Sequence, residues 1–314
     1  MNRSTRRGLA CVATTLLLIL AVFGGGADTA EDAASRITAH DAAPVRFGLF
    51  TDLHAHDRDS PLEGKWMTHT AERLGAFCDA MNAQAVDFVV QLGDFVNGWV
   101  VLGTDPGDPA RIPEILAWAD GLYAAFHGPR YHVLGNHDLY NLDKAAVREI
   151  LGIDRTYYSF DVRGVHFVVL DVQFAEDGTD LARTYTGVAG FVPATELEWL
   201  RDDLTRSDRP TIVFVHQMLD TYVEEWNRPL VANQPDVQAA LSADLDVVAV
   251  FQGHDHAFRE SQVGGVYYVT FAALVDHGRP PSWALVTVDP AARTVTIDGT
   301  GEQPSLVLAY EVSH

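Results

Sequence analysis

Five short apolar runs in this chain each stop at a residue able to hold a cation. Val45 to Thr51 runs into Asp52-Leu53-His54, Val86 to Leu92 into Gly93-Asp94-Phe95-Val96-Asn97, and Arg130 to Leu134 into Gly135-Asn136-His137-Asp138. Thr211 to Val215 runs into His216, and Asp246 to Phe251 into Gly253-His254-Asp255-His256. Runs this short and this rich in Val, Ile and Phe read as strands buried on both faces. Ligands in layered α/β proteins gather at the carboxyl ends of such strands, so the fold must bring five polar ends to one edge. Glycine stands before the polar residue where a tight turn needs a bare backbone.

Helical spacing fills the intervals, over Met67 to Asn82, Ile112 to Phe126, Pro193 to Leu204 and, more briefly, Val237 to Leu241. Pro113 sits near the start of its helix, where its missing N–H costs nothing. Tyr157 to Val162 and Val165 to Leu170 flank Arg163-Gly164, a two-residue hairpin signal. From Phe258 onward the texture is strand after strand, FRESQV, VYYVTF, WALVTV and TVTI. This alternation predicts two sheets packed face to face with helices outside, one domain over residues 44–314.

The start of the chain has a different character. Arg3, Arg6 and Arg7 precede an apolar run from Leu9 to Phe23, followed by Gly24-Gly25-Gly26-Ala27. The run is short for a membrane span, which needs about 20 apolar residues. Residues 1–27 therefore read as a signal peptide cleaved after Ala27, exporting the protein to the periplasm or medium by the Sec or the twin-arginine route and leaving no stable membrane span, with an uncleaved anchor as the alternative. Residues 28–43 read as a flexible leader. Cleavage removes three arginines and no acid, shifting the formal charge from −21 to −24. Such acidity excludes a nucleic-acid polymer as partner, because a phosphate track needs a basic face. Cys11 leaves with the signal, so Cys78 stays without an internal partner for a disulfide. The 20 arginines against 2 lysines read as compositional bias alongside abundant alanine.

Neutral imidazoles with carboxylates suit Mn, Zn or Fe, whereas all-oxygen sites suit Ca or Mg. Seven donors, Asp52, His54, Asp94, Asn136, His216, His254 and His256, exceed what one ion takes and match two divalent ions about 3.5 to 4 Å apart with a shared carboxylate.

In this order, D-x-H, G-D-x-x-N, G-N-H-D, H and G-H-x-H resemble the calcineurin-like metallophosphoesterase family over Asp52 to His256. The resemblance implies a four-layer α-β-β-α sandwich of two mixed sheets with a dinuclear metal site at the strand ends. It implies Asp52, His54, Asp94 and His256 at a first ion, and Asp94, Asn136, His216 and His254 at a second, Asp94 bridging. His137 would face the leaving oxygen as general acid or positive stabiliser, oriented by Asp138. Gly135 to Asn141, Glu196 to Leu200 and Phe251 to Val269 are similar to the branch of ADP-ribose and CDP-alcohol diphosphatases and its exported bacterial relatives. His54 departs from that branch's animal members, which carry Gln there.

The implied activity is hydrolysis of phosphate ester or diphosphate bonds in small molecules or nucleotides. A cyclic-nucleotide phosphodiesterase, a phosphomonoesterase and a non-catalytic metal-binding scaffold are the alternatives. A phosphoprotein phosphatase fits less well, since no arginine follows Asp94 in Phe95-Val96-Asn97-Gly98. Candidate substrate contacts are Asn97, Tyr140 and Asn141, with Phe95, Trp99 and Tyr140 able either to stack on a base or to pack beneath the loops. His69, His132 and His166 read as structural side chains.

Overall fold

The structure, a computed structural model, describes residues 43–60, 64–98, 108–182, 190–223, 228–275 and 278–311. The signal read over 1–27, all of the leader except Ala43, and Trp99 lie outside the described residues. Along the chain come β1 (Val45–Phe50), α1 (Thr70–Gln84), β2 (Phe88–Gln91), α2 (Ile112–Tyr123), β3 (Arg130–His132), α3 (Lys144–Leu151), β4 (Tyr158–Val162) and β5 (Val165–Val169). Then follow α4 (Ala194–Leu204), β6 (Thr211–Phe214), β7 (Tyr222–Val223), β8 (Arg228–Pro229), α5 (Gln234–Ser242) and β9 (Val247–Gln252). The C-terminal stretch adds β10 (Arg259–Val263), antiparallel to β11 (Val266–Thr270), which runs parallel to β9, and then β12 (Trp283–Asp289), β13 (Thr294–Thr300) and β14 (Leu306–Ala309), each antiparallel to its neighbour and carried by β12 beside β1.

Two six-stranded mixed sheets result, ordered β14-β13-β12-β1-β2-β3 and β10-β11-β9-β6-β5-β4. The parallel strands β1, β2, β3 of the first and β5, β6, β9, β11 of the second are the ones whose apolar runs lack alternation. Their burial explains this: β2, β5, β6 and β9 are buried at every position, covered by the other sheet on one face and by helices on the other. By contrast β12 buries every second residue, because no helix covers its outer face so fully. Leu74, Phe77 and Met81 of α1 with Ile115 and Leu116 of α2 seal the first sheet, and Leu197 and Leu200 of α4 with Val237 and Leu241 of α5 seal the second. Expected helices and strands are present with shifted ends, α5 reaching beyond Val237–Leu241 on both sides. For instance, Val86 falls outside β2 because its N–H closes the end of α1 on Met81 O, 3.5 Å away. Among the described residues no helix is long and apolar enough to cross a membrane.

Between the sheets the core is aromatic. Phe47 stacks on Phe88 at 4.8 Å between centroids and meets Phe167 and Phe214 of the opposite sheet edge-on, at 5.6 and 5.7 Å. Truncating Phe167 to alanine leaves a ring-sized void between fully buried layers, and Phe167→Ala is expected to lower the unfolding free energy by about 3–5 kcal/mol, read from the urea midpoint.

A second stabilising contact depends on pH. His166 on β5 lies between Asp161 on β4, 2.7 Å from Nδ1, and Asp203 on α4, 3.0 Å from Nε2, while Arg209 pairs with Asp161 and Ser159 donates to Asp203. Burial alone would lower the imidazole, but the two carboxylates outweigh it and raise its pKa above the ordinary 6.5. Protons therefore bind the folded state more tightly, so this contribution is complete below about pH 6.5 and fades as pH rises through the higher folded value. The stability difference between wild type and His166→Gln should accordingly be larger at pH 6 than at pH 9, measured by denaturant titration.

Candidate metal centre

The loops that leave β1, β2, β3, β6 and β9 meet along one edge, where the two sheets' carboxyl ends face each other. Beyond β1, Asp52 is fully buried; Thr51 Oγ1 and the His254 N–H donate to its Oδ2 at 2.6 and 3.0 Å. Its Oδ1 is thereby turned inward, accepts no hydrogen bond, and lies 3.2 Å from His256 Nε2. His54, two residues on, points Nε2 at His256 Nε2 across 3.0 Å and sets Nδ1 2.8 Å from Asn97 Oδ1. The Asn97 carbonyl oxygen can only accept, so it holds the His54 proton on Nδ1 and leaves the Nε2 lone pair for an ion.

The Asp94 carboxylate divides its two oxygens in the same manner. Oδ1 accepts the His137 N–H at 2.8 Å, while Oδ2 lies 3.3 Å from His216 Nε2 and 3.7 Å from His54 Nε2, between the two groups of imidazoles. His216 donates Nδ1–H to Leu92 O at 2.8 Å, and its Nε2 faces His254 Nδ1 at 3.3 Å. Asn136 donates Nδ2–H to Tyr140 Oη at 2.6 Å, which fixes the amide and turns Oδ1, buried and without an acceptor contact, into the same space. Asp52, His54 and His256 form one candidate cation group and Asp94, His216 and His254 another, with donor atoms inside 4.8 Å in each. Seven inward nitrogens and oxygens crowded together at such distances call for cations between them, and this donor set fits two divalent metal ions.

The backbone is bent to achieve this. Asp52, His54, Asp94, His254 and His256 all have φ between 47° and 75°, in the left-handed region, and they are five of the eight such non-glycine residues among those described. Each such residue costs roughly 1–2 kcal/mol relative to an ordinary conformation. Gly135 removes a further obstacle: a Cβ there would meet Asp94 N and Oδ1 at 2.2 Å, so the β2 and β3 loops touch only because that side chain is absent.

Electrostatics follow from burial and neighbours. Burial would raise Asp94, yet His216, His137 and His54 around it hold it far below the usual carboxylate range. Asp138 moves the other way, to about 7, through burial and the nearby Asp94 charge. His216 is lowered by burial but carried up to about 9 by Asp94 and Asp52, whereas burial and His216 bring His254 down to about 4. Burial and the Lys65 ammonium bring His54 to about 4 as well. His137, half-buried, is held well below the ordinary imidazole value by burial, with Asp94 opposing and His54, Lys65 and His256 adding to the drop.

Several expected roles change. Asp138 does not reach His137: its oxygens accept the Val96 and Gly135 N–H groups at 2.9 and 2.8 Å, clamping the β2 loop to the β3 loop, while His137 Nδ1 has no hydrogen-bond partner among the described residues. Asn97 and Tyr140, read as substrate contacts, also support donors, Asn97 Oδ1 accepting from His54 and Tyr140 Oη from Asn136. Phe95 packs beneath the loops against Phe50, Tyr123 and His132, so base stacking by this ring is ruled out. Asn141, half-buried, lies close to Gly98 in the neighbouring loop. Sequence reasoning passed over Lys65, buried with Nζ 3.4 Å from His54 Nδ1; the available signal was that it is one of only two lysines.

This fold and donor arrangement belong to a class of metal-dependent phosphoesterases. The family model for calcineurin-like phosphoesterases matches residues 45–258, and the chain belongs to that family and is a hydrolase acting on phosphoester bonds. Among characterised proteins it is similar to a manganese-dependent ADP-ribose/CDP-alcohol diphosphatase of Oryza sativa subsp. japonica, 26% identical over 279 residues, 73% of this chain and 83% of the relative. A protein of the same description from Arabidopsis thaliana is 25% identical over 263 residues, 69% of this chain and 80% of the relative. Its fold is shared with a dimetal phosphatase from Danio rerio, TM-score 0.68 and 20% identity over 85% of this chain and 99% of the other. Purple acid phosphatase from yellow lupin shares it at TM-score 0.56 and 13% identity, over 85% and 54%.

Partners that orient a metal-bound histidine or amide are worth about 10–100-fold in affinity. Asn97→Ala and Tyr140→Phe should each weaken metal binding by that factor, in competition titrations against a chelating dye, without loss of the folded state.

Proposed function

We propose that this protein is an exported, metal-dependent phosphoesterase that hydrolyses phosphate ester or diphosphate bonds of small molecules or nucleotides. The carrying observation is the position of Asp94 Oδ2 between His54 and His216, one oxygen within reach of both donor groups. Asp52, His54, Asp94 and His256 would hold the first ion and Asp94, Asn136, His216 and His254 the second. When bound, the two ions supply Lewis acidity toward the phosphoryl oxygens and an activated water as nucleophile. Manganese, zinc and iron suit the donors, and the similar plant proteins are described as manganese-dependent.

The side chains around the ions define the rest. His137 Nδ1, buried and unpaired, stands beside the His54 ring at 4.5 Å between centroids, where it can donate to the oxygen that departs from phosphorus. Asp138 and Gly135 keep the β2 and β3 loops in register and so hold His137 beside the Asp94 carboxylate. Support for export is the basic and apolar start of the chain, Arg3 to Ala27. Support for a small substrate is the overall acidity: a cation pair makes the cleft floor locally positive, whereas the surrounding surface repels a long phosphate track.

Chelation of metal-loaded protein should abolish hydrolysis of bis-p-nitrophenyl phosphate and added Mn should restore it; hydrolysis persisting in chelator would refute the reading. His137→Ala should keep its metal, measured by elemental analysis, and lose about 10² to 10⁴ in kcat.

A further inference from the structure

We propose that the buried amide of Gln173 is a positioning residue for the second ion: it holds Asn136 and His216, which come from different sheets, at the spacing that a shared ion requires. The inference rests on the assignment of seven donors to two ions made above, and it concerns a residue outside that donor set.

The donors are held in two different ways. Asp52, His54 and Asp94 follow β1 and β2, neighbours in one sheet, and the pairing of those strands continues beyond their ends. There the Asp52 N–H donates to Gly93 O at 3.1 Å, the His54 N–H to Asp94 O at 2.8 Å and the Ala55 N–H to Phe95 O at 2.9 Å. His216 and His254 follow β6 and β9, neighbours in the other sheet, and the Gly253 N–H donates to His216 O at 3.0 Å. Asn136 is placed differently. It follows β3, at the edge of the first sheet, whereas the two histidines belong to the second, and no strand pairing joins one sheet to the other. Side chains must set that distance. His216 reaches across through Nδ1–H to Leu92 O, toward β2, and Tyr158 Oη meets the backbone of His132, within β3 itself.

Gln173 joins the loop of Asn136 to the loop of His216. It lies on the loop that leaves β5 and is fully buried, as is Gln217, the residue after His216. Its Nε2 donates one proton to Leu134 O at 3.0 Å, two residues before Asn136, and the other to Gln217 Oε1; Gln217 Nε2 returns a bond to Gln173 Oε1 at 3.1 Å. A carbonyl oxygen can only accept, so Leu134 O settles which end of the Gln173 amide faces the first sheet, and the reciprocal pair then orients Gln217. The loop is itself anchored. The Gln173 N–H donates to Asp171 Oδ1 at 2.9 Å, and Asp171 Oδ2 lies 2.7 Å from Lys144 Nζ at the start of α3. Residues 171–173 thus reach the chain on both sides of Asn136, at Leu134 and at Lys144.

An amide suits this place because it donates twice, accepts at the same time and carries no charge. A carboxylate or an ammonium would add a buried charge beside the centre, whereas a fully bonded amide adds none. Removing the amide detaches Leu134 from Gln217 and leaves all seven donors, the β1–β2 pairing and the Gly253–His216 bond in place. The loss therefore falls on the ion that Asn136 shares with His216 and His254, and spares the one at Asp52, His54 and His256.

The test is stepwise Mn binding by the full chain, followed by titration calorimetry and by electron paramagnetic resonance, which separates isolated Mn from a coupled pair. Wild type should take two ions, and His254→Ala should lose one of the two affinities, which identifies the ion in question. Gln173→Met, matched in length and lacking the amide, should weaken that same affinity by about 10–100-fold and keep the other within about threefold of wild type. At two equivalents of Mn its spectrum should then show isolated Mn where wild type shows the coupled pair. Two unchanged affinities overturn the inference, as does an equal fall in both, the outcome of a merely structural role. If Gln173→Met does not accumulate in folded form, Gln217→Met, which removes the same pair from the other side, is read in the same way. Wild-type protein taking up a single Mn would instead overturn the two-ion assignment itself.

Discussion

The buried carboxylate of Asp94 is the point on which the two sheets depend. It leaves a strand of one sheet, and an imidazole from the other sheet, His216, lies 3.3 Å away. A negative charge at such depth requires nearby positive charge. Where no ion is bound, a proton on His216, raised to about 9, provides it. A bound divalent ion takes over that duty and must displace the proton, so metal uptake by this centre is a proton-releasing reaction and gains strength as pH rises. Asp138 belongs to the same electrostatic unit. Two carboxylates in one dry pocket cannot both ionise freely, and the pair separates, Asp94 held charged and Asp138 brought to about 7 while it accepts hydrogen bonds from two amide N–H groups of the flanking loops.

Around that anion, the supporting residues work by subtraction. Thr51 occupies one oxygen of Asp52, Tyr140 occupies the amide nitrogen of Asn136, Leu92 O occupies one nitrogen of His216, and Asn97 occupies one nitrogen of His54. In each case the atom left over is the one that faces the interior. The donors are thus chosen atom by atom before any ion arrives, which is how a centre of neutral imidazoles and two carboxylates is preorganised.

Much of this was legible in the chain itself. The seven donors stand at strand ends because the strands are uninterrupted apolar runs and their loops begin with polar residues, a pattern with few other readings. The hairpin at Arg163-Gly164 is equally plain, and both residues take the positive φ that such a turn demands. The helix α3 was overlooked although it carries its own punctuation, Asp143 capping Ala146 N–H and Gly152 closing the far end in a left-handed conformation; at eight residues its apolar stripe is too brief to register as a period. The strand Leu306–Ala309 was missed for a similar reason, being a half-exposed edge with little apolar contrast. The contacts of Asn97, Tyr140 and Asp138 lay beyond reach of sequence. Each depends on which loop faces which across the two sheets, and one amide or carboxylate beside a motif has the same spelling whether it touches substrate, ligand or backbone.

The left-handed backbone at Asp52, His54, Asp94, His254 and His256 sets the fold against its metal centre. Glycine would be the more stable residue at those positions, yet each carries a side chain. Replacing any one of them by glycine relieves backbone strain and deletes a donor, so stability and metal binding make opposite demands of the same five positions.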